Sequence, residues 1–237
     1  MVAVAVVGDL VAWAHGDHVM MQRQRSTRCA RGVVAVAALA TVPAVRARLL
    51  HWGATHAEVA APLPGDDVLP GADLIATRAI TIDALAPDVW PWLAQLGQGR
   101  GGLYTYDTLE NLVGCDMHSS DRIVPEWQVV AEGDQVRLHP DVRLAVVHVD
   151  TGRSLVLHGA VPVGSAPPPY DFTWAFVVQD GPAGTTRLIV RERYAYVRAY
   201  AALLVEAVSV VSWFMSQRML RGIKQRAEHA VGVRTVR

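Results

Sequence analysis

The sequence has no surplus of either charge: 22 Lys and Arg stand against 22 Asp and Glu in 237 residues, a formal net charge of zero with histidine neutral. Phosphate neutralisation needs a basic excess on some face, so this balance argues against a nucleic-acid partner. Cysteine is scarce too. Cys29 and Cys115 are the only two and lie far apart, which excludes a disulfide framework and a C-x-x-C zinc site and leaves buried free thiols as the expected state. The N-terminal apolar run GVVAVAALATVPAV, residues 32–45, has 14 residues where a bilayer span needs about 20. Thr41 and Pro43 interrupt it, Arg46 and Arg48 follow it, and no convincing A-x-A cleavage site is present. What is there is the layout of a charged n-region, Arg23, Arg25, Arg28 and Arg31, ahead of an apolar h-region. Residues 1–50 therefore read as an N-terminal extension in which 32–45 is either a membrane-associated anchor or a plain helix, with Met20 and Met21 as alternatives to Met1 for the start.

The length suits one substantial domain with an appendage. APLPGDDVLPG, residues 61–71, is rich in Pro, Gly and Asp, and the span 51–72 reads as a linker ahead of a domain at 73–230. LIATRAITI alternates in the period of a strand with one half-buried face. PDVWPWLAQL then spaces Val89, Leu93 and Leu96 as a helix, with Pro87 in its first turn and Gly97 as its stop.

Gly97, Gly99 and Gly102 spell G-x-G-x-x-G, the spacing of a dinucleotide-binding turn. Such a turn lies between a strand and the N-terminus of a helix, whereas here a helix precedes the glycines. They are read as a tight turn between two short helices, with Arg100 exposed or reaching a carboxylate. The segment beyond, YTYDTLENLVGCDMHSSDRIVPEWQ, is dense in polar chemistry. Tyr106, Leu109, Leu112 and Val113 form an apolar stripe of a second short helix, with Asp107, Glu110 and Asn111 on its other faces. His118 beside Asp116 or Asp121 has the makings of a proton shuttle. The alternative is that these carboxylates cap helices and pair with Arg100 and Arg122. No H-x-x-x-H or E-x-x-H pair fixes a metal geometry, and neither metal nor cofactor is expected.

Downstream, five apolar-rich runs separated by Asp, Gly and Pro turns read as an antiparallel meander. In the last, Leu188, Val190, Glu192 and Tyr194 share one face, and Arg187, Ile189, Arg191 and Arg193 the other, so either face brings charge inward. A long helix from Val197 to about Ala230 closes the chain, with Leu204, Val208, Val211, Met215, Met219 and Ile223 as its stripe and cations in its last turns.

Strand, two short helices, antiparallel strands and a long C-terminal helix make an α+β helix-grip order of six to seven strands. TRAITIDALAPDVWPWLAQLGQGRGGLYTYDTLENLVGCDMHSSDRIVPEWQ, together with HWGATHAEVAAPLPGDDVLP, TWAF and QRMLRGIKQRAE, resembles uncharacterised actinobacterial members of the SRPBCC superfamily over residues 51–228. That superfamily holds START lipid-transfer domains, birch-pollen-allergen-like proteins and polyketide cyclases/dehydratases. The resemblance implies a cavity between sheet and long helix that takes an apolar ligand. It implies as lining Trp90, Trp92, Leu93, Tyr104, Tyr106, Trp127, Trp174, Phe176 and Met215, each of which packing alone would also explain. Three functions follow: a carrier or sensor of a hydrophobic small molecule or lipid; a cyclase- or dehydratase-like enzyme using His118, Asp107, Glu110 and Arg191; or a membrane-associated interaction protein. A cytoplasmic protein is expected, with membrane contact through the N-terminal segment as the variant reading, which the resemblance favours because members of that subgroup often carry an N-terminal hydrophobic segment.

Overall fold

The computed structural model describes residues 42–112, 114–160 and 168–235, so Cys29, Val113 and most of the 32–45 run lie outside the described residues. Its strands are β1 (Leu74–Ile82), β2 (Gln135–His139), β3 (Val142–Asp150), β4 (Ser154–Gly159), β5 (Tyr170–Asp180) and β6 (Thr186–Tyr196). They form one six-stranded sheet in the order β1-β6-β5-β4-β3-β2, antiparallel throughout. The helices are α1 (Pro43–Leu50), α2 (His56–Ala60), α3 (Ala86–Ala94), α4 (Asp107–Asn111) and α5 (Ala201–Thr235). This is the α+β helix-grip arrangement: the sheet packs on a 35-residue C-terminal helix roughly 50 Å long, and two short helices follow the first strand.

Strand periodicity decides which side chains meet α5. Phe172, Trp174, Phe176 and Val178 of β5 lie beside Leu188, Val190, Glu192 and Tyr194 of β6, with Trp174 directly opposite Glu192. The even positions of β1, from Leu74 to Ile82, continue the same face, and α5 adds Leu204, Val208, Met219 and Ile223 to one core. Each such large apolar side chain contributes about 1.5–3 kcal/mol by leaving water. Among the described residues α5 is the one helix long and apolar enough to cross a bilayer, and 56% of its apolar window is buried inside the protein.

The outer face of β1 and β6 differs from the half-exposed surface that alternation predicts. Residues 51–70 cross it as a strap, and the odd-numbered arginines hold that strap down. Arg187 pairs with Glu58 at 2.7 Å, while Arg191 pairs with Asp66 at 2.6 Å and donates to the carbonyls of Glu58, Val59 and Ala61. Arg193 also reaches Asp66, at 3.1 Å, and the carbonyls of Leu69 and Pro70. Beneath the strap Leu63 packs with Ala79, Val177 and Ile189 in a small second cluster. The strap runs so close to β1 that a Cβ on Gly53 would stand 2.1 Å from the Ala79 carbonyl oxygen.

Candidate functional site

The glycine turn sets the position of everything that follows α3. Gly97 and Gly102 exchange two backbone hydrogen bonds, of 2.9 and 3.0 Å, and both hold positive φ. A Cβ on Gly102 would meet the His118 and Ser119 backbone within 3 Å, so the turn is a packing device. Arg100 does not reach a carboxylate; its guanidinium donates to the carbonyls of Ala94 and Trp127, and burial lowers its pKa.

Beyond the turn, α4 inverts the pattern read from the sequence. Leu109 and Leu112 are 42% and 78% exposed, while Glu110 between them is sealed from solvent. A five-residue helix is too short to be oriented by its own apolar stripe, and local hydrogen bonds turn it instead. Asp107 accepts from the Ser119 amide and hydroxyl at 2.7 and 2.6 Å, and the Asn111 amide donates to the Met117 carbonyl at 2.9 Å. The segment 103–119 is thus a self-bonded flap that carries Thr105 and Glu110 on its inner side.

That inner side faces a cavity between the sheet and the middle of α5. Leu103, Leu138, Tyr170, Phe172, Trp174, Tyr194, Val208, Met215 and Met219 make its largely apolar wall, and Thr105, Glu110, Glu192, Ser212 and Ser216 supply the polar groups. Its free volume is about 50 Å³, room for about three water molecules.

The two carboxyls in this wall are held differently. Glu192 accepts from Arg78 Nη1 at 2.8 Å, Ser216 at 3.0 Å, Ser212 at 2.6 Å and Tyr194 at 3.0 Å. Burial pushes its pKa up, but Arg78 and the two serines outweigh that and hold it below the ordinary value. Arg78 in turn donates to the Leu49 carbonyl at 3.0 Å, which ties α1 to the same buried knot. Among the described residues no group stands at hydrogen-bonding geometry to either Glu110 oxygen, to the Thr105 hydroxyl or to Trp174 Nε1, though Thr105 is near enough to Glu110 to act on its pKa. Burial raises the Glu110 pKa and Asp107 adds to the rise; the opposing effect of Thr105 is smaller. Behind it, Cys115 is a buried free thiol with its pKa pushed up to about 11 by burial and by Glu110.

Of the four acid–base candidates, the cavity wall contains Glu110. Asp107 stands at the flap's hydrogen bonds with Ser119. The His118 side chain is 80% exposed, 3.2 Å from Asp116, and Arg191 lies on the opposite face of the sheet under the strap. His118 and Arg191 therefore do not converge on the cavity, the first because its loop faces solvent and the second because strand alternation turns odd residues of β6 outward.

Of the ligand-wall candidates, Trp174 and Met215 line the cavity. Trp90, Trp92, Leu93, Tyr104 and Phe176 are buried in the core outside its wall. Tyr104 is committed elsewhere: its hydroxyl donates to the Trp92 carbonyl at 3.1 Å and accepts from Gln95, and Arg226 covers its ring. Tyr106 stacks on Phe214 at 4.9 Å beneath Arg218, and Trp127 is half-buried in the turn Pro125–Trp127. Sequence reasoning missed Thr105, Ser212 and Ser216. Two serines four apart in the most apolar part of α5, on the same turns as Met215 and Met219, were the legible signal for the last pair. Among the described residues no group of three or more His, Cys, Asp or Glu is placed to hold a metal ion.

No family profile and no curated protein matches the chain. Solved structures do resemble it. They include a protein from Mesorhizobium loti (14% identical, covering 66% of this chain and 98% of that one, TM-score 0.40). A hypothetical protein from Helicobacter pylori (14%, 71% and 96%, TM-score 0.45) and an aromatase/cyclase from Streptomyces sp. R1128 (15%, 67% and 95%, TM-score 0.41) are similar to the same degree. Likenesses this distant carry no inference about chemistry.

Proposed function

We propose that the protein binds a hydrophobic small molecule or lipid in the cavity between the sheet and α5. One observation carries this reading: an apolar, aromatic wall in which Thr105, Glu110 and Trp174 are buried with unpartnered polar atoms. Folded proteins pair nearly all buried polar groups, and an unpaired one costs about 1–3 kcal/mol, so several in one cavity mark groups kept for a ligand. Ligand pockets usually span about 300–1,000 Å³, more than the 50 Å³ free here, so the ligand enters by displacing the 103–119 flap. The α4 part of the flap suits that movement, because its side-chain hydrogen bonds run to the 117–119 loop and its outer side carries the exposed Leu109 and Leu112, while Leu103, Tyr104, Cys115 and Met117 stay anchored in the core. The resemblance to the SRPBCC superfamily supports the same reading.

The raised pKa of Glu110 favours a second reading, a cyclase- or dehydratase-like enzyme in which that carboxyl passes a proton to or from a carbonyl compound. Asp107, His118 and Arg191 do not join it in the cavity wall, and Glu192, which does, is taken up by four hydrogen bonds, which places this reading behind simple binding.

Native mass spectrometry of the gently purified full chain, followed by solvent extraction, tests the proposal. A stoichiometric apolar passenger, or binding from a panel of long-chain alcohols, fatty acids and aromatic polyketides, is the expected result. An empty protein that takes nothing from the panel overturns it. A passenger returned chemically altered, with the alteration abolished in Glu110→Gln, would favour the enzyme.

A further inference from the structure

The inference rests on the binding reading above and specifies the ligand. We propose that Thr105 Oγ1, the Glu110 carboxyl and Trp174 Nε1 form a polar anchor for an uncharged oxygen-bearing group, a hydroxyl or carbonyl, on a hydrophobic ligand. The site thereby selects neutral oxygenated hydrophobes over fatty-acid anions and amines.

The three groups share one cavity wall, and among the described residues none meets a partner at hydrogen-bonding geometry, although Thr105 stands close enough to Glu110 to lower its pKa. Their chemistry is complementary to a single oxygen: an indole N–H only donates, a hydroxyl does both, and a protonated carboxyl offers one donor and one acceptor. Glu110 is fully shielded from solvent, and among the described residues no cationic side chain lines the cavity with it. The titratable groups near it among the described residues are Asp107 on its own helix and Cys115 behind it, with Glu192, Tyr170 and Tyr194 across the cavity. Among the described residues the cation that reaches a wall carboxyl is Arg78, and it is paired with Glu192. The groups facing Glu110 among the described residues are neutral, acidic or already neutralised, a surrounding that favours the protonated carboxyl.

A carboxylate ligand would enter a cavity that already holds two carboxyls and offers it no free cation. An ammonium ligand would have to ionise Glu110 and bury both charges, and that desolvation is costly. A hydroxyl or carbonyl pairs with these orphan groups without moving a charge.

The test is calorimetric titration of the full chain with 1-decanol, decanoate and decylamine, which share a chain length and differ in head group. The wild type should bind decanol about tenfold or more tightly than either charged probe. Glu110→Gln, whose amide also donates and accepts, should hold decanol within about threefold, and Glu110→Leu should weaken it about tenfold. Preference for decylamine that vanishes in Glu110→Gln, preference for decanoate, or an unchanged decanol affinity in Glu110→Leu overturns the anchor while leaving the binding reading intact. If none of the probes binds and no passenger is extractable, the binding reading falls and takes the anchor with it. The infrared difference spectrum of ligand-free wild type minus Glu110→Gln at neutral pH gives an independent readout. A protonated-carboxyl carbonyl band is expected, and a carboxylate band in its place overturns the anchor.

Discussion

Glu192 and Glu110 face the same cavity, yet Glu192 receives hydrogen bonds from four side chains and Glu110 from none. The first is architecture. It joins β6 to β1 through Arg78, to α5 through Ser212 and Ser216, and by way of Arg78 to α1, so the knot fixes how the sheet meets the helix. The second joins nothing. It is carried on α4, whose Leu109 and Leu112 point to solvent, an arrangement that costs stability twice over. The binding reading rests on that imbalance, and the cavity shows the contrast within one wall.

The largest way to break this contrast is to leave one charge of the knot unpaired. Glu192→Leu strands Arg78 in the core and should destabilise the protein by about 3–5 kcal/mol in urea denaturation, whereas Arg78→Met with Glu192→Leu should recover most of that loss. A smaller effect is expected on the outer face. Arg191→Ala removes the pairing with Asp66 and the bonds to three strap carbonyls, for about 2–3 kcal/mol, and should expose residues 56–70 to protease cleavage.

The strap also responds to acid. Glu58 has its pKa lowered to about 2, chiefly by the hydrogen bond from Arg187. A depressed carboxylate binds fewer protons folded than unfolded. Its contribution is therefore complete above the ordinary value of 4.5 and is lost as pH falls toward 2, which proteolysis of the strap across that window checks.

These arginines show where sequence reading stops. Alternation in β6 correctly divides Glu192 from Arg187, Arg191 and Arg193 and states that charge must turn inward on one side. It cannot show that the partners of the outer charges are backbone carbonyls more than 120 residues earlier. Regular elements were legible because period-two and helical patterns are local: five runs after β1 are strands, and the α5 stripe faces the sheet. The cavity was less so. Trp174, Met215 and Glu110 were identified, but α4 was read with its leucines inward, because five residues carry too little periodicity against two specific hydrogen-bonded ties to the 115–119 loop. Tyr104 and the α3 tryptophans are aromatic side chains committed to packing, which composition cannot separate from a ligand wall.

Glu110→Met sharpens the comparison from the other side. Removing a buried carboxyl that has no partner should stabilise the protein by about 1 kcal/mol at neutral pH, opposite in sign to the Glu192 variant. The pH dependence has a definite direction as well. A carboxyl with a raised folded pKa holds more protons in the native state, so it withdraws stability as pH rises above the unfolded value of about 4.3. Wild type should lose stability toward neutral pH relative to Glu110→Gln in paired urea denaturation series. Smallest of all is His118→Ala. The ring is exposed and bonded to an exposed Asp116, so stability should move by no more than about 0.5 kcal/mol and ligand affinity not at all.

The most direct test of the cavity as the binding site is to fill it. Val208 lies in its wall on α5, and Val208→Phe adds bulk there while keeping the wall apolar. Native mass spectra of the full-length wild type and this variant, each loaded with 1-decanol, should show one bound molecule on the wild type and none on a variant that remains folded. Equal loading of the two proteins would place the ligand elsewhere and contradict the account.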